Sequence, residues 1–320
     1  MRREKSGLTV IEILVVVSII AILVGILIPS LRMVQNTAKA VKQQAQFTAI
    51  DLGLAAFRGD YGDYPPSNWW SPAIGGPQNY CGAQKLAEAL LGWDLLGFHP
   101  DSAWRGDGLD ASGGPDTYNP LNAYTLAVRQ ENLKKRRDRY IEMEVANTFR
   151  LGESAMGQRD GLFVSTAGTW GGQPLAPNTY VLCDVYEVPE RKIALADGRS
   201  AVPGTPILYY RANPSSKTID AATGTVPLES EDLIYNVRDN APLVNLRRLS
   251  DAAKTLAMRQ QHPLDQSAAA GWVVDFYDYI RDPKVAARRW PYRPDSYLLI
   301  SAGPDGLYGT RDDIRNFGKR

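Results

Sequence analysis

The chain has 320 residues, with 36 Lys and Arg against 35 Asp and Glu, and a formal net charge of +1. That balance excludes a general electrostatic pull toward nucleic acid or an anionic surface, and the length suffices for one good-sized globular domain beyond an anchor, or two small ones. Seven Trp and sixteen Tyr point to a well-packed domain and against a disordered stalk.

Residues 1–7 form a short leader carrying Arg2, Arg3 and Lys5. Positions 8–28 follow as an apolar run in which Glu12 is the only ionisable side chain. About 20 apolar residues cross a bilayer as a helix, so the run is long enough to span. It is too long for an ordinary secretory signal. Ala38-Lys39-Ala40 has the small-x-small look of a signal-peptidase site, but lies beyond the apolar run in a helical pattern. The basic leader favours the cytoplasmic side. A carboxylate within such a segment costs roughly 2.5–3.5 kcal/mol, so Glu12 calls for a partner. The alternative is a side chain near the bilayer face that snorkels to water.

Gly7 followed by Leu8-Thr9-Val10-Ile11-Glu12 resembles the class III signal of type IV pilins and of the pseudopilins of type II secretion. The resemblance implies cleavage after Gly7 by a prepilin peptidase and N-methylation of Leu8, which stands where Phe is commoner. Glu12 falls where the family places its Glu, and Pro29 at its helix-kink position. In a bundle of identical helices the Glu12 carboxylate can pair with the free amine of Leu8 on the next subunit, fixing the axial register.

The first helix is expected to run over 8–58, with the membrane segment at 8–28. From Ser30 the pattern turns amphipathic, with Leu31, Val34, Ala38, Val41, Ala45, Ile50, Leu54 and Phe57 on one side and Arg32, Lys39, Lys42 and Gln46 as polar positions. Pro29 should bend or open it. Gly59, Gly62, Pro65 and Pro66 mark its end. The stretch 57–66 is similar to the segment that leads off the helix of the major pseudopilin. Residues 59–320 then form a periplasmic domain.

The stretch 67–201 has no evident counterpart in that family and reads as a mixed insert decorating the sheet face or subunit surface. Within it, 68–78 reads as loop, 84–96 as helix with Leu86, Leu90 and Trp93 on one side, 99–119 as irregular loop, 121–148 as helical, and 179–188 as strand. Lys134-Lys135-Arg136-Arg137-Asp138-Arg139 is a basic run, but Glu131, Asp138, Glu142 and Glu144 offset it, so nucleic-acid binding is not expected. Cys81 and Cys183, the only cysteines, either pair in an oxidising compartment or stay buried and unpaired.

The stretch 204–211 resembles the pseudopilin strand that follows a Trp-Gly-x-Pro motif, without the Trp, and 272–279 and 297–301 are further strand candidates; together they would pack on the first helix as a small antiparallel sheet in an α+β pilin fold. The terminal segment Ser301-Ala302-Gly303-Pro304-Asp305-Gly306-Leu307-Tyr308-Gly309-Thr310-Arg311-Asp312-Asp313-Ile314 resembles the calcium loop of the major pseudopilin. Calcium takes six to eight oxygens. Ser301, Asp305, the carbonyl of Leu307, Asp312 and Asp313 are the candidate ligands. The alternative is an Asp/Gly turn whose carboxylates cap backbone amides. Segments 107–110 and 114–116 look loosely similar.

The resemblance implies a non-enzymatic subunit that assembles with itself into the filament of a type II secretion system. Its partners would be an inner-membrane assembly platform and a cytoplasmic ATPase. An external type IV pilus and a membrane-anchored hydrolase are the alternatives. Against the hydrolase, His99 and His262 lie in no metal-ligand spacing, and no Gly-x-Ser-x-Gly elbow or P-loop is present.

Overall fold

The structure, a computed structural model, describes residues 9–71, 78–113, 117–118, 126–155, 157–166, 172–195, 197–219, 233–265 and 275–318. Gly7 and Leu8 lie outside the described residues, as do 114–116 and 272–274. The chain divides into two compact units, residues 1–44 and 45–320.

Helix α1 covers Val10–Tyr61. In the first unit its side chains from Val10 to Leu27 are exposed throughout. That window is long and apolar enough to cross a membrane or to serve as a signal sequence. Position 29 lies inside α1, so Pro29 removes a backbone donor without ending the helix. Leu31, Val34 and Val41 are exposed.

In the second unit the end of α1 is a core helix. Phe47, Ile50, Leu54 and Phe57 are buried at three- and four-residue spacing, one face of a 3.6-residue helix. Ala45, expected on that face, is exposed. Gln46, expected on the polar side, is buried and its Nε2 donates to the carbonyls of Val145 at 3.0 Å, Ala146 at 3.3 Å and Cys183 at 2.9 Å. The Tyr297 hydroxyl donates to Asp51 at 2.6 Å, tying α1 to the C-terminal sheet. The helix ends at Tyr61, where the Gly62 amide still reaches the Arg58 carbonyl at 2.8 Å.

The remaining architecture is mixed helix and small antiparallel sheets. β1 (Trp70–Ser71) pairs β2 (Gln78–Asn79), so both ends of the expected 68–78 loop are short strands. α2 (Gly82–Leu91) follows, shorter than expected. α3 (Leu126–Lys135) and α4 (Met143–Ala146) occupy part of the 121–148 region. β3 (Thr148–Arg150) pairs β4 (Tyr180–Leu182), and β5 (Ile193–Ala194) pairs β6 (Ser200–Ala201). The largest sheet has order β7-β8-β9: Leu208–Arg211, Tyr297–Ser301 and Ile314–Arg315. Leu208 faces Ile300 and Arg211 faces Tyr297. α5 (Ala241–Val244) and α6 (Phe276–Tyr279) lie between β7 and β8 in sequence.

Three expectations change. The stretch 67–201 is not an appendage. Cys81, Ala83, Leu151, Leu162, Phe163, Leu175, Val181, Cys183 and Ile193 share one core cluster with Leu208, Tyr210, Leu298 and Ile300. α2 packs on β4 and β7. It comes so close that a Cβ at Gly82 would lie 2.2 Å from the Tyr209 carbonyl oxygen, so only glycine fits there. Second, the described part of 272–279 is helical turn α6, not strand. The Asp275 side chain accepts the Tyr277 amide at 2.9 Å, an N-cap that starts a helix despite the β-prone aromatics. Third, strand β4 stops at Leu182, because Cys183 and Asp184 turn their amides to Asn147 and Thr205.

Candidate functional site

At the N-terminal end, the Glu12 carboxylate accepts the Thr9 amide at 2.7 Å and the Thr9 hydroxyl at 2.8 Å. The Glu12 amide reaches Thr9 Oγ1 at 3.4 Å. This is a capping box, in which Thr at the helix start and Glu three residues on satisfy each other's orphan donors. The pattern Thr-x-x-Glu is legible in the sequence. Glu12 therefore has a partner within its own chain, and its charge sits in the first turn, where the helix dipole favours it.

The C-terminal loop is organised from below by Asp184. Asp184 is buried and its Oδ1 accepts the amides of Thr205 at 3.0 Å and Tyr186 at 3.1 Å. The Ser301 hydroxyl donates to Asp184 Oδ2 at 2.8 Å, and Ser301 Oγ accepts the Gly303 amide at 3.2 Å. Burial pushes the Asp184 carboxyl up to about 7. Gly303 has φ +66, and a Cβ there would meet the Asp312 carbonyl oxygen at 2.2 Å, so the loop closes on itself only through glycine. Asp305 Oδ1 accepts the Leu307 amide at 2.8 Å, the local turn that Asp favours. The Arg248 guanidinium donates to the Asp305 carbonyl at 2.8 Å. Asp313 accepts the Gly309 amide at 2.8 Å and the Tyr279 hydroxyl, and burial pushes its carboxyl up to about 6. Asp312 is half-buried.

Of the five residues implied as calcium ligands, Ser301, Asp305 and Asp313 are thus engaged in separate local hydrogen bonds. Among the described residues no group of three or more His, Cys, Asp or Glu is placed to hold a metal ion. The arrangement follows the turn-capping alternative. The loosely similar Asp107 is paired with Arg105 at 2.6 Å, and Asp110 caps the Ser112 amide at 2.8 Å.

Cys81 and Cys183 are both buried free thiols, so the disulfide left open by the sequence is not made. Burial raises both thiols, Cys81 to about 12, which leaves them unreactive near neutral pH. His262 is buried, accepts the Tyr308 amide on Nδ1 at 3.2 Å, and is driven down to about 3 by burial. Of the basic run, Arg136 is consumed by Asp94 at 2.6 Å, whereas Arg137 stays exposed.

Two groups were not found from sequence. Asp184 gave no signal, because its partners Thr205 and Ser301 are distant in the chain. The buried charges of α2, Lys85 and Glu88, lie on a helix whose ten residues are all buried. Comparison with protein-family models, curated proteins and solved structures finds no match to this chain.

Proposed function

We propose that the chain is a prepilin-like filament subunit of the major-pseudopilin type, built to carry force and not to catalyse a reaction. Its leader 1–7 is removed between Gly7 and Leu8, the new amine is methylated, and the segment 8–28 holds the subunit in the inner membrane with the domain in the periplasm. Assembly then transfers the apolar segment from lipid to a bundle of like helices, in a pilin-type arrangement driven by the platform and its ATPase. The resulting filament would serve type II secretion.

The observation that carries this reading is the wholly exposed apolar run Val10–Leu27 with Glu12 at its start. A surface of this size is not kept in water by a soluble monomer. It needs lipid or other copies of itself. In the subunit the Glu12 carboxylate rests on Thr9; in the bundle it exchanges that cap for the amine of a neighbour. Calcium at Ser301, Asp305, the Leu307 carbonyl, Asp312 and Asp313 belongs to the proposal as the ion that would order this loop, whose Asp305 and Asp313 carboxylates here accept the loop's own amides and the Tyr279 hydroxyl.

The test is intact-mass measurement of the chain expressed with a prepilin peptidase, wild type against Gly7→Ala. Loss of residues 1–7 with gain of one methyl group, abolished by the substitution, is the expected result. An unprocessed wild-type chain, or cleavage near Ala40, would overturn the filament reading and leave a signal sequence or a plain anchor.

A further inference from the structure

Helix α2 holds an anomaly. Lys85 is 1% exposed, yet among the described residues no carboxylate lies within ion-pair distance of its Nζ. A buried ammonium without a counter-ion is costly, and such a group loses its proton instead. Its hydrogen-bond partners are two oxygens of one residue. Nζ lies 2.6 Å from the backbone oxygen of Asn68 and 2.7 Å from Asn68 Oδ1. The neighbouring carboxylates are satisfied elsewhere. Glu88 accepts the Tyr80 hydroxyl at 2.6 Å and the Ser102 hydroxyl, and Asp239 accepts the Ser67 hydroxyl. The Tyr80 ring covers the amine, with its centroid 5.7 Å from Nζ.

We propose that Lys85 and Asn68 form an intramolecular amide cross-link, made by the folded chain itself. The Nζ lone pair attacks Cγ of Asn68, one bond beyond the oxygen it now touches. The 2.7 Å contact to Oδ1 holds the amine against the side-chain amide, so part of the orientational cost of the step is already met. A C–N bond forms between Nζ and Cγ, the bond from Cγ to Nδ2 breaks, and Nδ2 leaves as ammonia with a proton from the attacking amine. Nothing is oxidised or reduced, and no co-reactant is needed. The product amide is neutral and does not titrate, so the buried position no longer holds an ionisable amine.

The surroundings suit the step. Burial pulls the Lys85 amine down to about 8, so a usable fraction is the neutral nucleophile near pH 7. Asp239, which accepts the Ser67 hydroxyl, is also pushed up to about 7 by burial. Asn68, Ser67 and Asp239 line one cleft of about 340 Å³, through which ammonia can leave. The cross-link would tie α2 to the chain that leaves α1, and it does not depend on the filament reading.

Peptide mapping of the purified full-length chain decides the matter. An unlinked chain is cut by trypsin after Arg58, Lys85 and Arg105. The linked chain yields 59–105 as one peptide lacking one ammonia, with no backbone fragments from between residues 68 and 85 in its tandem spectrum. Lys85→Met and Asn68→Ala should restore full mass, and Asn68→Asp should link with loss of water instead. Full mass with cleavage after Lys85 overturns the proposal. So does an ammonia deficit on a peptide that still ends at Lys85, which marks a succinimide at Asn68.

Discussion

Helix α1 is two different objects joined by one backbone. From Val10 to Leu27 every apolar side chain is exposed, whereas from Phe47 to Phe57 one stripe, Phe47, Ile50, Leu54 and Phe57, is buried in the second unit and Leu52 stays exposed. Both parts are helical for the same local reasons, since helix-forming and apolar residues recur without a terminating Gly-Pro cluster until 62–66. What differs is the width of the apolar surface. The first part is apolar all round, the pattern of a helix meant for lipid or a bundle. The second has a stripe, the pattern of a helix against a core.

The sharpest way to break this comparison is to truncate one matched side chain in each part. Phe57 packs edge-on to Phe98 and Tyr140, with centroids 5.1 and 5.7 Å away. Phe57→Ala should lower unfolding stability by about 3–5 kcal/mol, read from denaturant melts of the full chain in detergent. Ile22→Ala, at a position 63% exposed, should change the same melt by less than about 0.5 kcal/mol. Equal losses would mean that the first part is packed on the folded domain.

Gln46 sharpens the comparison from the polar side. Gln46→Leu keeps the helix but removes the side-chain donor shared by the carbonyls of Val145, Ala146 and Cys183, of which Cys183 keeps Asn147 Nδ2 at 3.3 Å. The expected cost is about 1–3 kcal/mol, the desolvation penalty of unpaired buried groups. A neutral result would show that water replaces the amide.

A smaller effect comes from pH. Asp184 has an ordinary value of 3.8 and is raised to about 7 by burial in the folded state. Between these values the unfolded chain loses its proton while the folded one keeps it. The stability from the protonated form is thus full below about pH 4 and is lost as pH rises through about 7. The Tm should therefore be higher at pH 5 than at pH 8, and Asp184→Asn should flatten the difference. Asp239 and Asp313, also raised by burial, add to the slope in the same direction.

Much of the frame was readable in advance because it is written in short-range patterns. The 8–28 run, the end of α1 within a few residues of Gly59, and strand β8 follow from composition, periodicity and breakers among near neighbours, while β7 was expected from the family resemblance of 204–211. The candidate C-terminal loop was readable as a loop, since Gly303 and Asp305 announce a turn, but not the tasks of its carboxylates. Those depend on Tyr279 and Asp184, brought to Asp313 and Ser301 from 34 and 117 residues away.

The sequence by itself therefore determined the apolar segment with its single acid, the mixed helix and strand character, and the places where the chain turns. Only the tertiary structure decided that 67–201 belongs to the core, that Gln46 faces inward, and that Lys85 is buried against Asn68. The physical reason is one of range. Helix and strand periodicity reports which side chains share a face, but burying a polar group is permitted only where distant backbone or side-chain atoms can satisfy it. Those partners are set by packing between segments, which no local pattern encodes.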